Sequence, residues 1–223
     1  MASVSAVLEY VEHRTDLDVI AVTDHEDVRG GLIARDLAAK RGYRFDVIAG
    51  AEVTTLGGHV LAIFIEKTPP AFRRVESTLE MIHAEGGLAV VPHPLSWLTR
   101  SISRRTLDRI QSGDGQRFDA IELANPSPAG LRTRDRAASL NTQHWNLPAT
   151  GGSDGHHLPH IGRGWTEFAG HSAQELRHAI LSRSCQARML PYPSLRDVGL
   201  AQLAAGLAWG YSATPRKLLR HRP

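Results

Sequence analysis

The chain has 223 residues, 42% apolar and 22% charged, with a formal charge of +3 and a pI ≈ 9.3. That balance excludes a disordered chain, allows one domain with a sizeable core, and is too weakly basic to name an anionic partner by itself. The single cysteine, Cys185, excludes an internal disulfide and points to a packed thiol in a reducing cytoplasm.

No transmembrane segment is expected. The longest apolar stretch, residues 198–210, is too short to cross a bilayer and contains Gln202, so it is expected to be a docking helix. Glu9, Glu12 and Asp16 interrupt any signal-peptide core. Arg216, Lys217, Arg220, His221 and Arg222 form a basic tail. The expected division is therefore a main domain over 1–185 and an extension over 186–223.

The expected elements alternate along the chain. Ser3 caps a first helix with Val4, Leu8 and Val11 on one face. Residues 18–24, DVIAVTD, form a continuous apolar run, the pattern of a buried parallel strand. A helix over 31–42 stops at Gly42. Strands follow at 46–55 and 59–66, joined by a short turn around LGG. A helix over 73–87 leads into a strand over 88–94, which Pro94 ends. Further helices are expected at 103–112, 130–145 and 174–182, and further strands at 119–125 and 148–154. This alternation predicts an α/β fold on a parallel sheet, either a barrel or doubly wound. No Gly-x-Gly-x-x-Gly follows the first strand, and TTLGGH lacks the Gly-Lys-Ser/Thr ending of a P-loop, which argues against both nucleotide cradles.

The strand ends carry the chemistry. The first delivers Asp24 and His25, the second Glu52, the fourth His93, the fifth Asn125 and the sixth Asp154 and His156. In an α/β barrel such positions share one rim. His59 begins its strand, but a hairpin with the preceding strand would return it to Glu52. Imidazoles and carboxylates without thiolates suit Zn, Mn or Fe held for hydrolysis. Asp24 beside His25 can grip one ion or two adjacent ions, and Glu52 is the plausible bridging carboxylate. His13, His83, His144, His171 and His178 fall on helices or helix edges and are expected to be structural, and His157, His160 and His221 belong to loops or the tail.

The segments AVTDH, GAEVTT…GGHVLA, VVPHP and GGSDGHHLPHIG, in that order, resemble successive motifs of the PHP (polymerase and histidinol phosphatase) family over about residues 3–183. The resemblance implies a distorted TIM-like (β/α)7 barrel with a di- or trinuclear metal centre that hydrolyses phosphate esters. It implies metal ligands at His25, Glu52, His93, Asp154 and His156, with His59 in the metal or phosphate pocket. Asp24 would be a ligand or would orient its neighbour. The family pattern opens with a His-x-His strand and a Ser-Asp-Gly loop, and this sequence has neither. Both an upstream start and a natural remnant fit that departure. Either way, the sheet should lack its first strand, and the metal centre should be depleted.

The expected chemistry is attack of a metal-activated water on a phosphorus centre. Asp24 and Arg163 are the expected catalytic residues, Arg163 as a two-pronged phosphate clamp. Arg100 and Arg104 are further cationic candidates, and Asn125 a substrate contact. Either His157 or His160 could in principle protonate the leaving group. The substrate is expected to be a small phosphorylated molecule or a nucleotide, with nucleic acid possible and the oligomeric state open. Residues 95–118 and 157–170 are expected to wall the pocket. The competing reading is a degenerate, non-catalytic binding module. A metal-dependent amidohydrolase ranks last, because no Lys sits at a strand end to bridge two metals.

Overall fold

Strands β1 (Val19–Val22), β2 (Asp46–Thr55), β3 (Gly58–Ile63), β4 (Leu88–Val91), β5 (Ala120–Ala124) and β6 (Ala149–Gly151) form one sheet in that spatial order. It curls into a half-barrel. The structure, a computed structural model, describes residues 2–193. The helix expected at 198–210 and the basic cluster at 216–222 lie outside them.

The sheet is mixed rather than parallel. β1 and β2 are parallel, as are β4, β5 and β6, but β3 runs antiparallel to both β2 and β4. The cause is local. Only the two residues Leu56 and Gly57 separate β2 from β3, which is hairpin length, whereas a parallel return needs a crossover. β1 and β6 are the two edges of the sheet, and among the described residues they do not pair with each other.

Period-two alternation assigns each strand face. Ala49, Ala51 and Val53 of β2, with Val60 and Ala62 of β3, pack outward in one core with Leu79 and Ile82 of helix α3 (Val75–Ala84). Ile20 and Val47 pack with Leu8 and Val11 of α1 (Val4–Arg14) and with Ala34 and Ala38 of α2 (Arg29–Arg41). Ser3 caps α1, and left-handed Gly42 closes α2, as the sequence indicates. The inward set, Ile48, Ile63, Leu88, Val90 and Ala120, meets Ile180 of α7 (Ala173–Leu181), so α7 closes the bottom of the half-barrel. A Ser172–Glu175 capping box starts α7, and its Ala173 N–H donates to Asp46 at the foot of β2, 2.8 Å away.

Two stretches differ from the sequence expectation. The helix expected over 130–145 divides into α5 (Pro128–Leu131), α6 (Arg134–Leu140) and a π-helical turn, Asn141–Trp145, while α4 (Arg104–Ser112) lies close to its place. The break falls at Thr133, whose hydroxyl donates to the Pro94 carbonyl at 2.7 Å, tying this segment to the loop after β4. An antiparallel hairpin, β7 (Gly164–Glu167) with β8 (Gln186–Met189), packs beside β6. These strands are short and largely polar, without a clear apolar alternation to announce them. No helix among the described residues is long and apolar enough to cross a membrane.

Candidate metal centre

The inward faces change character along the half-barrel. Below, they are aliphatic; at the rim, the same registers present Glu52, His59 and Glu122. The β1–β2 ladder continues past Val22 as a single bridge between His25 and Glu52. Glu52 N–H donates to Asp24 O at 3.1 Å, and Glu26 N–H donates to Glu52 O at 3.0 Å. In the hairpin, His59 stands opposite Thr54, two residues along from Glu52. Its N–H donates to the Arg100 carbonyl at 2.7 Å.

Three imidazoles therefore surround one buried carboxylate. His59 Nδ1 lies 2.7 Å and His93 Nε2 3.1 Å from Glu52 Oε1, and His25 Nε2 lies 3.5 Å from Oε2. The rings of His25 and His93 lie edge-on to that of His59, with centroids 5.2 and 5.6 Å away. Burial pushes the Glu52 carboxyl up, but the close His59 imidazole, the hydrogen bond with His93 and the charge of His25 outweigh it. Glu52 is held well below the usual carboxylate range. Burial likewise pushes His93 down, and Glu52, Asp154 and Glu122 reverse this and raise it to about 9.

The donor set fits a divalent cation. Ligand atoms of His25, Glu52 and His59 all lie within 4.8 Å of one another. His59 Nδ1 is buried and close to Glu52 Oε1, yet without the alignment of a hydrogen bond. An imidazole lone pair and a carboxylate aimed at one point are what an ion requires. His93 adds a third nitrogen and a fourth donor, and its Nδ1 lies 2.8 Å from Ser101 Oγ, a contact that sets the ring orientation.

A second group faces the same space. A cavity of ≈ 390 Å³ fills the opening between β1 and β6, and His25, Glu52, His93, Glu122, Asp154 and His156 line its polar side. Asp154 Oδ2 accepts a long bond from Asn125 Nδ2 at 3.5 Å, and His156 Nδ1 lies 3.0 Å from Asp154 O. Asp154 and His156 thus share the cavity without joining the donor group around Glu52.

Of the remaining expected residues, Asp24 also lines the cavity, and the others take other places. The Asp24 carboxylate lies against the first turn of α2, where a Cβ on Gly30 would meet its Oδ2 at 2.2 Å. Asn125 is buried, donating to Glu122 Oε2 at 2.7 Å and accepting from Ser127 N–H at 2.8 Å, so it shapes the turn. Arg163 lies between two cavity-lining residues, Gly162 and Gly164, but does not line the cavity itself. Arg104 pairs with Asp108 along α4 at 3.3 Å, and Arg100 lies over the Phe72 ring at 5.7 Å. His160 stacks on Tyr192 at 3.9 Å, with His157 edge-on to it.

Two acidic residues went unnoticed in the sequence. Glu122 accepts the His93 N–H at 2.9 Å, and burial raises its carboxyl to about 7. Its signal is a lone carboxylate inside the apolar run AIELA of β5. Glu26 is buried with φ +55, and its Oε1 accepts the Thr54 N–H at 3.0 Å. Nothing in the acidic loop EDVRGG marks it as different from Asp27. Five of the eight non-glycine residues with positive φ among those described, Glu26, Phe72, His93, Leu95 and Asp154, lie around this rim. Backbone strain of this kind persists where the surroundings hold a particular geometry.

A PHP-associated family model matches residues 133–185. An uncharacterized protein of Methanocaldococcus jannaschii is 33% identical over 98 residues, which make up 44% of this chain and 56% of that protein. A two-domain protein from Bacteroides vulgatus containing a predicted PHP-like metal-dependent phosphoesterase shares the fold, with a TM-score of 0.66 and 20% identity. The likeness covers 85% of this chain and 60% of that one. The lesion-specific endonuclease Q of Pyrococcus furiosus matches with a TM-score of 0.55 and 17% identity, over 79% of this chain and 50% of that one. The chain thus spans little more than half the length of these relatives.

Proposed function

We propose, from the place in the PHP-domain family that the family model and the shared fold support, that this chain is a metal-dependent phosphoesterase. The half-barrel corresponds, in this reading, to a distorted TIM-like (β/α)7 barrel. The observation that carries it is one buried carboxylate, Glu52, met by imidazoles from three rim segments at the mouth of a cavity. His25, Glu52 and His59 would hold a first divalent ion, Mn, Zn or Fe, with His93 beside it. Asp154 and His156, on the same cavity, are the donors for a second.

Bound there, such an ion supplies an activated water and polarises phosphoryl oxygens. The protein side supplies geometry. Glu122 fixes the main chain of His93, and Ser101 orients its ring. The apolar lower wall, including Leu61, Ile63 and Val90, limits water around the ionisable groups. Asp24, which lines the same cavity, is retained as a catalytic candidate that ligates the ion or orients His25. Arg163 remains the proposed phosphate clamp, since its two neighbours line the cavity.

The test is the metal content of the purified chain, followed by Mn-supplemented hydrolysis of phosphomonoesters, nucleotides and a phosphodiester. Retained metal with hydrolysis of at least one ester class is expected. Absence of both sinks the reading. A non-catalytic binding module has one observation in its favour, the separation of Asp154 and His156 from the Glu52 group. Retained metal with no turnover on any ester would select it.

A further inference from the structure

The loop that follows β4 does more than deliver His93. Its Arg100 carbonyl accepts the His59 N–H, and Ser101 contacts the His93 ring. On one flank, the Arg100 guanidinium lies over Phe72 at 5.7 Å. On the other, Pro94 accepts from Thr133, and the neighbouring Arg132 lies over Trp97 at 5.5 Å. Two aromatic–guanidinium pairs thus flank the candidate metal centre.

Both pairs face solvent. Trp97 is 71% exposed and Phe72 40%. Eight large apolar side chains are exposed among the described residues, and five of them, Leu56, Phe72, Trp97, Leu98 and Leu131, belong to these loops or to the end of α5 beside them. Such concentration on one face marks an interaction site. Neither Arg100 nor Arg132 has a carboxylate partner among the described residues, so each keeps its charge available. Exposed rings beside unpaired guanidinium groups suit a ligand with flat π-faces and regular negative charge. An acidic protein partner would use the charge and leave the rings unexplained. A lipid surface would use the leucines and leave the guanidinium groups held beside both ring faces unexplained.

We propose that this rim is a stacking platform for a single-stranded nucleic acid, with bases on Trp97 and Phe72 and backbone phosphates on Arg100 and Arg132. It rests on the phosphoesterase reading only for what happens to the strand afterwards, and binding itself needs no turnover.

The test is fluorescence anisotropy with the full chain in EDTA and a labelled oligothymidylate of about 15 nucleotides, the size of one such site. Wild type should bind the single strand more tightly than the matching duplex, with affinity falling as salt rises. Loss of one stacked base corresponds to about 5- to 150-fold, so Trp97→Ala and Phe72→Ala should each weaken binding on that scale. Trp97→Phe, which keeps a ring, should recover most of it. No strand binding, equal affinity for duplex, or alanine variants that bind like wild type would overturn the proposal. So would a concentration-dependent dimer that Trp97→Ala abolishes, since the face would then be a protein interface. The enzyme reading is tested separately by Mn-dependent cleavage of bis(p-nitrophenyl) phosphate by the wild-type chain. Strand binding without cleavage of this diester or of any other ester class keeps the platform and sinks the hydrolase; cleavage without strand binding does the opposite.

Discussion

Replacing Glu26 with alanine tests whether the rim geometry depends on a side chain that stands in for backbone. Glu26 Oε1 accepts the buried Thr54 N–H at 3.0 Å, where the β1–β2 ladder has already ended. The next backbone link, Glu26 N–H to Glu52 O, lies directly beside it. Alanine leaves the Thr54 amide without its acceptor, and a buried unpaired amide costs about 1–3 kcal/mol. For a chain of this size, that lowers Tm by roughly 2–12 °C. The same change loosens the His25–Glu52 bridge, and loss of such an outer support typically weakens metal binding by about 10- to 100-fold. Glu26→Gln keeps an oxygen acceptor and should stay close to wild type in both measurements. Thermal melts without metal and Mn titration by competition with a chelating dye give the two numbers. Wild-type Tm and Mn affinity in the alanine variant, or equal losses in alanine and glutamine, would refute the role assigned to this hydrogen bond.

Glu52→Gln removes the carboxylate that three imidazoles share, and Mn affinity should fall by more than the roughly 100-fold upper range for an outer residue; affinity near wild type refutes the centre. Gly152→Ala would place a Cβ 2.1 Å from Glu122 Oε1, so overpacking of about 1–3 kcal/mol should lower Tm by roughly 2–12 °C. An unchanged melt would show that Glu122 sits elsewhere. Hydrogen bonding with Asp119 raises His83 above the usual histidine value against the effect of burial. A raised folded value gives stability that is fully present below about pH 6.5 and is lost as pH rises through the folded value. The Tm difference between wild type and His83→Gln should therefore be larger at pH 5.5 than at pH 9, and a difference independent of pH would refute it.

Much of this molecule is legible from side-chain periodicity, and what escapes has identifiable causes. The run DVIAGAEVTT becomes β2 with the expected bounds, because apolar groups on both faces leave a buried strand as its natural form. His59 could be placed beside Glu52 from the shortness of the LGG turn alone. The break near Thr133 is not local: a bond to Pro94, 39 residues away, ties that segment to another loop. β7 and β8 hold each other across a gap of 18 residues, and neither carries enough pattern to be read separately. Arg104 illustrates a general weakness. Charge type suggests a phosphate clamp, but direction depends on a partner such as Asp108 that spacing does not reveal.

The contrast between Glu122 and Glu26 shows where the physical information lies. Along β5, Ala120 and Glu122 occupy the same inward register, one in the aliphatic floor and one at the rim. A carboxylate two residues above a core alanine cannot reach solvent by bending aside, so its burial is implied by strand geometry. Glu26 lies beyond the last β1 residue, where no period applies, and its burial follows from a left-handed backbone and from Thr54. The ionisable groups on strands therefore inherit their position from the core beneath them, while those on loops depend on a few specific bonds. Thinning the floor should disturb the first kind. Val90→Ala, below His93 and Glu122, would remove two buried methyl groups and cost about 1–3 kcal/mol. It should also weaken Mn binding although Val90 touches no ligand atom. Lost stability with full Mn affinity would show that the rim holds its geometry independently of the floor.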